Sequence, residues 1–210
     1  RKSPELIFME NKHQFLGNVT LTQLQPNGLI IDQPAGEFYD HTRLMPADHL
    51  VITPLGVETI TTDGERVLDI HHMEHPQKAY DPDDLVCIGF TSHYAAMRVR
   101  FGEHIQDGTA GENIIIDSPE EIWLEQLGEQ IAIENQTTGA LTYLDVGRFA
   151  APCEEFTHFV ANSQDKRLPA KELKDALQFL GNGRRGFLLL LSQGQGKAIV
   201  RPGDNVYLVK

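Results

Sequence analysis

Thr142-Tyr-Leu-Asp-Val-Gly-Arg-Phe-Ala-Ala-Pro-Cys153 runs an alternating strand into a cysteine placed directly behind a proline. Two glycine-rich turns flank that thiol along the chain. Asp107-Gly-Thr-Ala-Gly-Glu-Asn-Ile-Ile-Ile-Asp117 enters an apolar strand upstream, and Gly181-Asn-Gly-Arg-Arg-Gly186 enters another downstream. Turn followed by strand is the grammar of a mostly β domain with antiparallel neighbours. Glycines let the backbone approach a ligand closely, so two such turns and one thiol make a candidate site.

The hairpin that delivers Cys153 is predicted from strands over 129–135 and 140–146, around Gln136-Thr-Thr-Gly139. Strands follow at 187–191, 197–200 and 205–209. In the first third, residues 18–24 alternate like a half-buried strand, Pro26-Asn27-Gly28 turns the chain, and 29–31 return to form a first hairpin. Residues 32–46 are rich in Pro, Gly and polar groups without a period, which reads as a long loop. Further strands are expected at 49–53, 57–61 and 66–70, the last two joined by Thr62-Asp-Gly-Glu65.

The helices are fewer. Ser92 suits the N-cap of a helix over 93–101 that Gly102 stops. Ser118-Pro-Glu-Glu121 reads as a capping box, with Pro119 at the first helical position, opening a helix that ends near Gly128. A third spans 169–180 before Gly181, and a short one starts at Cys153. Residues 1–16 read as an N-terminal extension to a single domain covering 1–210. The class is thus mostly β (α+β) with peripheral helices; closure into a barrel would remove exposed strand edges, though the pattern alone does not choose barrel over sandwich.

Composition narrows the function. With 210 residues, 18 basic against 30 acidic side chains give a net charge of −12, which repels nucleic acid phosphates and anionic membrane surfaces. No nucleic acid or membrane partner is expected, and no apolar run nears the ~20 residues of a membrane span. Two cysteines exclude a disulfide framework and fit a reducing compartment, cytoplasmic by default. Cys87 lies in the apolar run Leu85-Val-Cys-Ile-Gly89 and reads as a core residue outside the site. No serine triad, P-loop or dinucleotide fingerprint is present.

Cys153 is the candidate reactive group. Pro152 fixes the local φ, and a helix starting behind the thiol favours thiolate, opposed by the charges of Glu154 and Glu155. Gly111, Glu112 and Asn113 can present backbone amides and the Asn113 side chain to an anionic group, or else form a plain turn with Glu112 in solvent. Arg184 and Arg185 can pair bidentately with phosphate in an otherwise acidic chain. The rival constellation is His71, His72 and His75 behind Asp69. His71 and His75 at i, i+4 suit a divalent metal, but Pro76 cuts any helix carrying them short, and the reading here is against a metal.

Phe101-Gly102, then Gly111-Glu-Asn113 leading a strand, Pro152-Cys153, Gly183-Arg-Arg-Gly186 and Val200-Arg-Pro-Gly-Asp204 stand in an order that resembles the MOSC domain, the molybdenum cofactor sulfurase C-terminal domain, in its stand-alone bacterial form. The likeness is strongest over 86–210. It implies a closed, strongly bent β-barrel of the MOSC or pyruvate-kinase-barrel type. It also implies a molybdenum cofactor (molybdopterin), with Cys153 as molybdenum ligand or sulfur carrier and Gly111, Glu112, Asn113, Arg148, Arg184 and Arg185 as its cofactor-binding set. Pyridoxal phosphate is not expected on this domain itself. Implied partners are a cysteine desulfurase or a redox protein, and implied activities are a component of a molybdenum-dependent oxidoreductase or a sulfur-transfer protein. Many relatives carry an arginine where this chain has Ala150. That departure motivates the alternative of a ligand- or partner-binding barrel that has lost the chemistry.

Overall fold

The computed structural model describes residues 13–34, 36–77 and 81–210. Its first half carries β1 (His13–Leu24), β2 (Ile30–Gln33), β3 (Gly36–Tyr39), a 3-10 turn (His41–Arg43), β4 (Met45–Pro46), β5 (Leu50–Thr53), β6 (Gly56–Ile60), β7 (Arg66–Leu68), β8 (Val86–Phe90) and α1 (Thr91–Phe101). The second half carries β9 (Ile114–Ile116), α2 (Leu124–Leu127), β10 (Gln130–Glu134), β11 (Leu141–Phe149), α3 (Glu154–Val160), α4 (Ala170–Leu180), β12 (Phe187–Leu191), β13 (Ala198–Val200) and β14 (Asn205–Val209).

Seven strands close a barrel in the order β1, β14, β10, β11, β12, β8, β9 and back to β1. Every neighbouring pair is antiparallel except β8 and β9, which are parallel. Parallel neighbours need a crossover, and α1 supplies it. β1 closes the ring by changing partner along its length. Residues His13 to Asn18 pair with β14, and Val19 to Thr22 pair with β9, with register shifts at Phe15/Gly17 and Val19/Leu21. Those bulges bend the strand, as a tightly curved barrel requires. A second sheet, β13-β5-β6-β7, and the β2–β3 hairpin stand outside the ring.

The triple isoleucine of β9 shows how the two cores meet. Ile114 and Ile116 face the barrel interior with Val86, Ile88 and Phe90, whereas Ile115 faces a second cluster built from Tyr94 and Met97 of α1, Phe156 of α3 and Leu180 of α4. A strand covered on both faces reads as a continuous apolar run instead of an alternating one.

Several expectations are corrected. Strand 18–24 does not pair with 29–31; β2 pairs with β3 instead, so the expected loop over 32–46 contains the second arm of a hairpin. The last four residues of the expected extension, 13–16, belong to β1, and residues 1–12 lie outside the described residues. Ser92 is not an N-cap, because α1 begins at Thr91, two residues before the expected start, with Phe90 at the cap position. The helix expected over 118–128 shrinks to the single turn of α2. Its capping box never forms: the Ser118 hydroxyl donates to Glu120 O at 2.7 Å, Glu121 is drawn to Arg184, and the Ile122 amide donates to His93 Nε2 at 3.2 Å.

Candidate functional site

A cleft of about 250 Å³ opens where β8, the entry to β9, the end of β11 and the turn before β12 converge, and Cys87, Gly111, Asn113, Arg148, Ala150 and Arg185 line it. Asn113 holds these parts together. Its backbone donates to Cys87 O at 2.8 Å, its Oδ1 accepts from the Cys87 amide at 3.0 Å, and its Nδ2 donates to Asp69 Oδ2 at 2.9 Å. Asp69 is buried, and it also accepts from the Gln25 and His71 amides at 2.9 and 3.0 Å. Asn113 is therefore committed to the frame of the cleft, as is the Gly111 amide, which donates to Gly108 O at 3.0 Å.

The two adjacent arginines part company. Arg185 turns into the cleft, where its Nη1 donates to Ala151 O at 2.7 Å and its buried Nε has no partner among the described residues. The Cys153 and Cys87 thiols, the Tyr39 hydroxyl and the Glu112 carboxyl all lie within its electrostatic reach. Arg184 turns away. It grips Glu121 with two bonds of 2.7 and 3.3 Å, donates to Phe179 O, and stacks over the Trp123 and Phe179 rings at 4.8 and 4.3 Å. Its donors are occupied by the fold. Arg148 reaches the cleft with its guanidinium 3.6 Å from Asp81.

Cys153 is half-buried at the N-cap of α3, where its Sγ accepts the Phe156 amide at 3.5 Å. Contrary to what the sequence implies for the reactive group, it does not line the cleft; it packs against the α-helical core, with the Arg185 charge within electrostatic reach. Glu112 is not in solvent. It is 1% exposed, with Oε2 accepting the Tyr94 hydroxyl at 2.6 Å and Oε1 buried without a partner among the described residues. Burial pushes its carboxyl up to about 7, while the Tyr94 hydrogen bond and the Arg185 charge pull the other way.

The three histidines diverge. His71 lines the cleft and meets Asp69 Oδ1 at 2.9 Å; burial opposes its charge, but the Asp69 carboxylate outweighs burial and raises its pKa. His72 is fully buried, its Nδ1 taking the Glu74 amide, and burial lowers its pKa. His75 meets Pro26 O at 3.1 Å. Among the described residues no three His, Cys, Asp or Glu side chains gather as a metal-holding group.

Cys87, read from the sequence as core, is in the cleft wall. Val86, Ile88 and Phe90 face the barrel interior, so the two-residue period of β8 turns Cys87 and Gly89 the other way. Burial first, then the nearby Glu112 and Asp84 charges, push its thiol pKa well up. Asp84, itself raised by burial, and Gln25 also line the cleft; neither carries a sequence signal of its own.

No functionally curated protein matches the chain. Among solved structures, the chain is similar to the YuaD protein from Bacillus subtilis, with 12% identity and a TM-score of 0.51 over 90% of this chain and 97% of that one. It is also similar to YiiM from Geobacillus stearothermophilus, at 14% identity and TM-score 0.47 over 95% and 76% of the two chains. The first likeness concerns the fold, and it agrees with the closed barrel described above. The MOSC domain model matches residues 75–207, which span β8 to β14 and every wall of the cleft except Gln25 and His71. The chain belongs to the MOSC domain family.

Proposed function

We propose that this domain binds the anionic end of a molybdenum cofactor in the Arg185 cleft and uses Cys153, within electrostatic reach of Arg185, as metal ligand or sulfur carrier. The observation that carries this reading is Arg185 itself: a cation turned into a cleft, its Nε without a partner among the described residues, within electrostatic reach of both thiols. An unpaired buried donor is costly unless a ligand satisfies it, and a guanidinium fits phosphate or another oxoanion. Arg148 and a protonated His71 would add positive charge on the facing walls. At about 250 Å³ the cleft falls below the roughly 300–1,000 Å³ of sites that engulf a whole drug-sized ligand. It suits one end of a large cofactor, with the rest held outside.

When bound, the molybdenum group would supply redox or sulfur chemistry, and the chain would supply the rest. Arg185 orients the anion, Asn113 and Asp69 keep the walls in register, and Cys153 offers a soft thiolate. Two free cysteines suit a reducing compartment such as the cytoplasm, with a cysteine desulfurase or redox protein as partner. Ala150 favours a second reading. It puts a methyl group in the cleft wall at the position where the family resemblance leads one to expect a third cation, as in a barrel that binds without reacting.

Molybdenum content after anaerobic production separates the two. The first reading expects near-stoichiometric metal in the wild type and loss in Cys153→Ser and Arg185→Ala. A metal-free wild type under every condition of supply overturns it and leaves the binding barrel.

A further inference from the structure

The geometry points to a second reactive thiol: Cys87 accepts a sulfane sulfur from a small persulfide or polysulfide entering the cleft, and the Glu112 carboxylate takes the thiol proton. This rests on the sulfur-handling side of the function proposed above but assigns a different residue. Two observations meet at Gly186, whose backbone has a φ of +111° and no room for a side chain. A Cβ built there would lie 2.9 Å from Glu112 Cγ and 3.1 Å from Cys87 Sγ, so the two side chains flank one point. Gly89, the other outward position of β8, likewise leaves room for Glu112 Oε1, which a Cβ would approach to 2.5 Å. That oxygen is buried and unpartnered among the described residues, whereas Oε2 is held by Tyr94.

The pair is matched chemically. Burial, then the Glu112, Asp84 and Asp69 charges, push the Cys87 thiol well up, and the Arg185 charge pulls the other way. The thiol needs a base. Glu112 faces Tyr94 of α1, Arg185 of the turn before β12 and Asp107 of the loop before β9, and its carboxyl titrates at about 7. A base poised near the working pH is the most effective kind.

In the step, Cys87 Sγ attacks the sulfane sulfur and forms a new S–S bond as the donor's S–S bond breaks. The bonding pair leaves on the donor thiolate, and the Cys87 proton passes to Glu112 and on to that thiolate. One S–S bond replaces another, so no oxidant is consumed. The product persulfide anion lies in the field of Arg185.

The test uses folded Cys153→Ser protein, in which Cys87 is the one remaining thiol, treated with inorganic polysulfide and followed by peptide mass spectrometry. Cys87 should gain one sulfur atom, faster as pH rises through about 7. Adding Glu112→Gln should slow loading roughly 100-fold at neutral pH and abolish that rise. If Glu112 acts only as a charge, the same change would speed loading, since removing a carboxylate beside a thiol favours thiolate; equal or faster loading overturns the assignment. Cys87→Ser with Cys153→Ser is the blank, and thermal melting checks that each variant is folded. Loading of Cys153 but not Cys87 in wild type overturns this inference and leaves the sulfur-handling reading intact. Loading of neither overturns both.

Discussion

The Cys153 main chain and side chain are both built into the start of α3: the carbonyl accepts from Thr157 N and Oγ1 at 3.1 and 2.7 Å, and Sγ accepts from the Phe156 amide. A side chain that caps a helix contributes to stability apart from any chemistry. Cys153→Ala should therefore cost about 1 kcal/mol in urea unfolding, while Cys153→Ser, whose hydroxyl is a better cap, should cost nothing or stabilise slightly. Equal stability of the two variants would show that the thiol does not cap. The sequence displays this cysteine plainly, because Pro152 and the following helix are local. It cannot separate Arg184 from Arg185, since both stand between glycines in Gly183-Arg-Arg-Gly186. What separates them is distant in the chain: Glu121 and the Trp123 ring capture the first, and Ala151 receives the second. Cys87 was legible in principle from the two-residue period of β8, but an all-apolar run hides which face points outward.

Among the elements, β1 depends on Gly17, where its pairing passes from β14 toward β9. A Cβ there would sit 1.8 Å from Asp117 O, so strand and loop must separate to admit one. Gly17→Ala should destabilise the protein by about 3 kcal/mol, the upper range of overpacking costs. Gly28→Ala is the control. Its Cβ would meet only Ile70 Cδ1 at 3.9 Å and should shift the urea midpoint little. If both changes cost the same, close approach is not what Gly17 serves. Elements whose signals are local appear in the structure nearly as the sequence implies, among them the β10–β11 hairpin, α4 and β14. The helix expected from Ser118 fails for local and tertiary reasons together: the Ser118 hydroxyl turns to Glu120 O, while Arg184 takes the Glu121 carboxylate and His93 the Ile122 amide.

At the scale of the whole molecule, closure joins the two ends of the described chain, β1 with β14, and periodicity does not encode which strand meets which. The family resemblance, not the alternation of side chains, made the barrel legible. Among the titratable groups that the fold buries, His93 and Glu112 have opposing effects on stability. His93 is fully buried, and burial, aided by Arg184, lowers it from 6.5 to about 4. The stability tied to its neutral form is present above 6.5 and is lost as pH falls toward about 4. Glu112 has the other sign. Raised from 4.5 to about 7, it stabilises the fold most below 4.5, where it is protonated in both states, and that contribution is lost as pH rises to about 7. Between 4.5 and 6.5 the two slopes offset each other in the wild type. Glu112→Gln removes one of them. Relative to wild type, the variant should gain stability as pH rises from 4.5 to about 7, by on the order of 3 kcal/mol, and hold that gain above it. His71, Asp84 and Cys87 titrate in both proteins and largely drop out of the difference. Urea unfolding of the pair across this range measures it directly; a difference that stays constant with pH would mean that Glu112 ionises as freely in the fold as in the unfolded chain, and would remove the proton acceptor from beside Cys87.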